Sequence, residues 1–196
     1  KEYEKVEEEK VIRPELHPAT NSLSMGEVVR AVSDATHHEA VLVTDVGQNQ
    51  MISARYFKYT KERSIITSGG LGTMGFGLPA AIGATFGAPE RTVCVFMGDG
   101  GLQMNIQELA TIKEYGLNIL IFIINNSQYG IIRQHEVDKY DMEPYQIDLK
   151  NPDFVKVAEA YGLKAKRAEK LEDLQDVDDY DIVDVAVRFE DIPLPK

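Results

Sequence analysis

Asp99 stands among glycines in the run Gly98-Asp99-Gly100-Gly101, and after 24 further residues from Gly100 comes the pair Asn125-Asn126. Glycine removes the side chain and lets backbone approach phosphate oxygens closely. A carboxylate amid backbone donors suits a bare anion poorly and a metal-bridged anion well. Mg2+ takes about six oxygens in near-octahedral geometry, commonly one or two from protein and the rest from phosphates and water. An asparagine oxygen on a neighbouring strand end would supply the second protein ligand, and one strand-helix-strand crossover consumes about this separation. Taken singly, Asn125-Asn126 is a polar turn ending a strand; the spacing from Asp99 makes it a candidate metal site.

A second cluster points elsewhere. Gly70, Gly72 and Gly75 satisfy the dinucleotide fingerprint G-x-G-x-x-G between a strand and a helix, and Asp99 lies 24 residues beyond Gly75, near where a ribose-binding acid belongs. A nicotinamide- or flavin-binding module therefore stays open at this point. Close packing of small residues explains the same glycines without any ligand.

The elements that must carry these residues alternate. Residues 24–33 have helical spacing, with Ser24 as N-cap and Glu27 completing a capping box. Residues 40–45 and 64–68 read as short strands, and residues 75–87 as a buried helix of small apolar residues. Residues 92–97 and 118–125 are continuous Val- and Ile-rich runs, as expected of strands buried on both faces. Residues 104–115 and 152–161 read as helices, the latter capped by Asn151 with Pro152 at its first position, and residues 182–188 as a last strand. The pattern predicts an α/β three-layer sandwich, a mostly parallel sheet with helices on both faces. Ligands of such sheets lie beyond the carboxyl ends of the strands, where Asp45 to Gln48, Ser68 to Gly70, Gly98 to Gly101 and Asn125-Asn126 all fall.

Composition narrows the partners. With 196 residues, a net charge of -11 and no basic stripe, the chain is poorly suited to nucleic acid. Its acid concentrates at Glu7 to Glu9 and from Glu169 to Asp184, both reading as solvated surface. No apolar run approaches the roughly 20 residues of a membrane span. The single cysteine, Cys94, reads as a buried core thiol and suits a reducing, cytoplasmic compartment. Residues 1–22 carry charges, Pro14 and Pro18 and little periodicity. They read as a linker or strand-like tail ahead of a domain at 23–196, and a chain opening on Lys1 is expected to be a fragment of a longer protein.

The Gly98-Asp99-Gly100 to Asn125-Asn126 combination is similar to the signature of thiamine diphosphate (ThDP)-dependent enzymes. From about Met25 to Ala168 the chain resembles acetolactate synthase. The resemblance is carried by Gly70-Leu71-Gly72-Thr73-Met74-Gly75, Gly77-Leu78-Pro79-Ala80-Ala81-Ile82-Gly83 and Gln107-Glu108-Leu109-Ala110-Thr111-Ile112. It implies Mg2+ held by the side chains of Asp99 and Asn126 and the backbone carbonyl of Gln128. It implies cofactor contacts from Gln48, Asn49, Gly98, Gly100, Gly101, Tyr129 and Gly130. The Gly72 carbonyl would accept from the aminopyrimidine, and Met74 would wedge beneath the cofactor. The implied reaction decarboxylates pyruvate and joins the two-carbon unit to a second 2-oxo acid, in branched-chain amino-acid biosynthesis.

The resemblance also implies what this chain lacks. The activating Glu is expected on a pyrimidine-binding domain, usually from a neighbouring subunit, so the parent would be a homo-oligomer and the isolated chain inactive. Glu108 is a poor substitute. FAD, if used, would contact a middle domain absent here, and a regulatory subunit is possible in the family. Asn49 stands where the family usually has His, Gly101 where it has Ser, and His135 where it has a pocket Trp that favours 2-oxobutyrate, leaving the acceptor acid open. The diphosphate-binding subunit of another ThDP-dependent 2-oxo acid decarboxylase is the nearest alternative.

Overall fold

A computed structural model describes residues 2–18, 22–188 and 190. Six strands, β1 (Val41–Thr44), β2 (Ile65–Thr67), β3 (Val93–Gly98), β4 (Ile119–Asn125), β5 (Ala165–Ala168) and β6 (Ile182–Ala186), form one sheet of order β2-β1-β3-β4-β6-β5. Every pairing is parallel. The expected mostly parallel sheet is thus parallel throughout.

The strands are apolar on both sides because both faces are covered. Leu42, Cys94, Phe96, Leu120, Phe122 and Ile124 point to one face, where they pack under α3 (Met25–Ala35) and α4 (Gln48–Tyr56). Val41, Val43, Val93, Val95, Met97, Ile119, Ile121 and Ile123 point to the other, under α5 (Gly77–Gly87), α7 (Glu108–Tyr115) and α9 (Phe154–Ala160). Each fully buried side chain of this size contributes roughly 1.5–3 kcal/mol relative to exposure. Phe96 and Phe122 stack at 4.9 Å between β3 and β4, joining the two central strands.

Several local expectations change. Helix α3 begins as its capping box requires, with the Ser24 hydroxyl accepting from the Glu27 N–H and the Glu27 carboxylate accepting from the Ser24 N–H. The helix expected over 104–115 begins only at Glu108, as α7; a separate helix α6 (Asp99–Met104) precedes it, and between them lies Asn105, whose amide donates to the Gly75 carbonyl at 2.8 Å. Helix α9 is capped by Asp153, which accepts from the Lys156 N–H, so Pro152 lies outside it and Asn151 is not its cap.

The opening segment, expected as a linker or strand-like tail, is helical, running through α1 (Glu2–Glu7), a wider π-type turn at Glu8–Ile12 and α2 (Arg13–Leu16). Its anchor is Glu15, buried although charged, whose carboxylate accepts from the Arg55 guanidinium at 2.9 Å and from the Tyr56 hydroxyl. Gly26 is required there because a Cβ would stand 2.6 Å from the Glu15 carbonyl oxygen. Residues 1, 19–21, 189 and 191–196 of the expected linker and domain lie outside the described residues. No described helix is long and apolar enough to cross a membrane.

Candidate functional site

The carboxyl ends of β1, β3 and β4 open on one cleft of about 390 Å3. Gln48, Asn49, Gly72, Met74, Gly98, Asp99, Gly100, Gly101, Asn126, Gln128, Tyr129 and Gly130 all line it. The twelve positions singled out in the sequence therefore meet in one place, although they span residues 48 to 130.

Asp99 is almost fully buried. Its Oδ1 accepts from the Gly100 N–H at 2.9 Å, and its Oδ2 from the Ser127 N–H at 2.8 Å and the Asn151 amide at 2.6 Å. Burial pushes its pKa above the ordinary aspartate value, and the bonds from Asn151, Gly100 and Ser127 pull it partly back. The side-chain oxygen of Asn126 accepts from the Gln128 N–H at 3.1 Å. Ser127, between them, is left-handed at φ 57°, a conformation that makes the chain turn back on itself. Residues 127–129 are pinned by a short antiparallel pairing with 147–149, through Leu149 N–H to the Ser127 carbonyl and Tyr129 N–H to the Ile147 carbonyl.

Two glycines of the Asp99 run also have a packing cause. A Cβ on Gly100 would stand 2.5 Å from Tyr129 Cε1, and one on Gly101 3.1 Å from the Asp45 carboxyl carbon. Neighbouring side chains fill the space that the missing Cβ atoms leave. A Cβ on Gly130 would meet the flexible end of the Gln48 side chain.

Asp45, which the sequence places at a strand end without a role, holds the turn beside the cleft. It follows β1, is fully buried, and accepts from the N–H groups of Val46, Gly75 and Gly77. These bonds fix the turn carrying Gly72 (φ +60°) and Gly75 (φ +83°) at the rim. The signal for Asp45 in the sequence is an acid ending an apolar run just before Gly47, which is itself left-handed at φ 95°. This use of the glycines also weakens the dinucleotide fingerprint. The Gly70 cluster follows β2 and the acid follows β3, but β1 lies between those strands, so they are not the adjacent pair of one βαβ unit.

Residues 45–179 match the family model described as thiamine pyrophosphate enzyme, C-terminal TPP binding domain. The chain belongs to this family. Thiamine pyrophosphate and ThDP are the same cofactor, and the match spans every strand-end residue of the cleft. Over 149 residues the chain is 45% identical to the acetolactate synthase large subunit of Lactococcus lactis, covering 75% of this chain and 26% of that protein. It is 48% identical over 135 residues to the probable acetolactate synthase large subunit of Methanocaldococcus jannaschii (68% and 23%). With the isozyme 3 large subunit of Escherichia coli it shares 46% over 136 residues (69% and 24%). The chain spans about a quarter of the length of these relatives. The solved thiamine diphosphate-dependent 4-hydroxybenzoylformate decarboxylase of Rhodococcus jostii RHA1 is similar in fold, with TM-score 0.77 and 25% identity over 88% of this chain and 33% of that one.

The cleft of this TPP-binding domain fits a polar, metal-bridged ligand. The side-chain oxygens of Gln48, Asn49 and Gln128 are buried without a hydrogen-bond partner, a state that a bound group or water relieves. One carboxylate, one amide oxygen and one carbonyl oxygen offer the hard donors that Mg2+ prefers. Among the described residues no three His, Cys, Asp or Glu side chains gather into a metal-binding group. His135 lies half-buried on the helix α8 (Gly130–Asp138) and is not among the residues lining the cleft. Glu108 does not line the cleft either; its carboxylate accepts from the Thr111 hydroxyl.

Proposed function

We propose that this domain binds ThDP through a Mg2+ ion held by Asp99, Asn126 and the Gln128 carbonyl, as the cofactor-binding part of an acetolactate synthase. The observation that carries this reading is the convergence of those three oxygen donors with Gly72 and Met74 on one cleft. The identity near 45% to several acetolactate synthase large subunits supports the choice of parent enzyme.

In this reading Gln48, Asn49, Gly98, Gly100, Gly101, Tyr129 and Gly130 would hold the diphosphate, the Gly72 carbonyl would accept from the aminopyrimidine, and Met74 would support the cofactor from beneath. Bound ThDP supplies the carbanion chemistry of 2-oxo acid decarboxylation and carboligation. The protein's part is to clamp the diphosphate, hold the ring geometry and exclude water. Among the residues lining the cleft Asp99 is the single carboxylate, and its bonds to Gly100, Ser127 and Asn151 commit it to binding. The glutamate that activates the aminopyrimidine then comes from the pyrimidine-binding domain of a neighbouring subunit, which makes the working unit at least a homodimer. FAD and a regulatory subunit, where present, belong to other parts of that assembly. The buried, unpaired Cys94 fits a cytoplasmic location. A decarboxylase parent is the second reading, favoured by the fold shared with the Rhodococcus enzyme.

The experiment is a thermal melt with ThDP plus Mg2+, with ThDP plus EDTA, and with NAD. A ligand that binds only the folded chain raises the melting temperature. The expected result is a rise with ThDP that needs Mg2+ and is lost in Asp99→Asn. A Mg2+-independent rise with NAD would return the function to the Gly70 cluster.

A further inference from the structure

Behind Asp99, on the side away from the cleft, lies a chain of polar side chains that the binding reading does not use. The Asn151 amide has two N–H groups. One donates to Asp99 Oδ2 at 2.6 Å and the other to Asn125 Oδ1 at 3.1 Å. Its own oxygen accepts from Gln103 Nε2 at 3.1 Å. Asn125 in turn donates to Asp184 Oδ1 at 2.9 Å, and Asp184 Oδ2 accepts from the Arg167 guanidinium at 2.7 Å. Asp184 is buried on β6, inside the acidic stretch read from the sequence as solvated surface, and Arg167 on β5 is its counter-charge.

We propose that Asn151 is a positioning residue for the metal-binding carboxylate of Asp99, oriented by Gln103 and seated through Asn125 on the Asp184–Arg167 pair. The proposal rests on the reading of Asp99 as a Mg2+ ligand. Two geometric facts carry it. Asn151 ties the end of β3 to the end of β4 at the point where Asp99 and Asn126 leave those strands. It also joins the Ser127 N–H in occupying Asp99 Oδ2, so the carboxylate cannot swing. The Gln103 bond decides which way the amide faces, since a flipped Asn151 would set its oxygen against those of Asp99 and Asn125. The Asp184 bond does the same for Asn125. Every amide in the relay has one orientation that satisfies all its partners.

Mg2+ demands near-ideal octahedral geometry, whereas Ca2+ accepts a looser and more variable shell. A carboxylate freed to move therefore loses more affinity for Mg2+ than for Ca2+, which a general loss of structure would not produce.

The test titrates each cation against the ThDP-induced rise in melting temperature for wild type, Asn151→Leu and Gln103→Met. Losing the partner that orients a metal ligand typically weakens metal binding by 10–100-fold. The Mg2+ half-point of Asn151→Leu is expected to rise roughly tenfold on that basis, with a smaller rise in Gln103→Met and a smaller change with Ca2+ in both. Gln103 is exposed, so its variant should keep the ligand-free melting temperature of wild type and carries the comparison if Asn151→Leu does not fold. Half-points equal to wild type overturn the proposal, as does an equal loss for the two cations. Asp99→Asn separates the two ideas. A silent Asp99→Asn beside an unchanged Asn151→Leu dismisses the positioning role alone. A fully responsive Asp99→Asn, or a wild type with no cation-dependent rise, dismisses the clamp and the positioning role with it.

Discussion

Asp45 Oδ2 accepts the backbone N–H of Gly75 at 3.0 Å, so the acid that follows β1 holds the turn that follows β2. The same carboxylate takes the Gly77 N–H. Replacing Asp45 by Ala leaves these buried donors without their acceptor, at a cost of about 1–3 kcal/mol for an unsatisfied group. Chemical denaturation should show a loss at least that large. ThDP affinity should fall as well, because the turn carries Gly72 and Met74. A variant that melts lower yet binds ThDP like wild type would separate the turn from the site.

Asp45 also predicts a pH dependence. Burial raises its folded pKa above the ordinary value, with the N–H groups of Val46, Gly77 and Gly75 opposing. A carboxylate raised on folding contributes stability that is fully present below its unfolded value of about 3.9 and is lost as pH rises through the folded value. Acidification through that window should therefore stabilise wild type relative to Asp45→Asn. Urea midpoints of the two proteins from neutral pH downward measure it, and a gap that does not change with pH would contradict the assignment.

Two glycine-to-alanine changes should have opposite signs. Gly75 is left-handed at φ +83°, and a Cβ there would stand 2.7 Å from Met104 Cβ. Gly75→Ala should destabilise by about 1–3 kcal/mol, the range for a residue held in an unfavourable backbone region. Gly83 is within α5, and nothing lies within 4 Å of the position its Cβ would take. Gly83→Ala should stabilise by about 0.4–1 kcal/mol through the unfolded chain. Melting temperatures suffice for both.

Arg167→Met should remove the counter-charge from buried Asp184. A hydrogen bond to a charged group contributes about 1.5–3 kcal/mol, and the half-exposed arginine places this one near the lower end. Denaturation in low and high salt checks it, because screening should shrink the difference between wild type and variant.

The strands β3 and β4 were legible in sequence because parallel strands buried on both faces become uninterrupted runs of Val, Ile and Phe. Edge strand β5 was not, since Lys166 and Arg167 break its pattern and leave it looking like a loop. Helix α4 was missed for a related reason: Gln48, Asn49 and Ser53 are buried on it as polar residues, so no apolar stripe marks its face. The cleft residues were found through a motif whose spacing encodes one crossover. Asn151 was assigned to a helix cap because sequence shows its local neighbours, Pro152 and Asp153, and hides Asp99, with which it bonds. Asp184 was misread likewise, its acidic neighbours suggesting solvent while its partner lies on another strand. Local signals name elements; the polar groups buried between elements answer to contacts that sequence spacing does not display.

The all-parallel sheet has a kinetic consequence. Antiparallel strands can pair across a tight hairpin, but parallel strands need a crossover of a dozen or more residues before any ladder bond forms. None of the pairings here is a hairpin, so no strand pair offers a local nucleus, and high contact order slows folding. The acidic and amide oxygens near Asp99 come together only after β3 and β4 have found their register. Until then the chain holds the residues of the cleft and no pocket, and the appearance of ThDP binding during refolding would serve as a clock for closure of the sheet's centre.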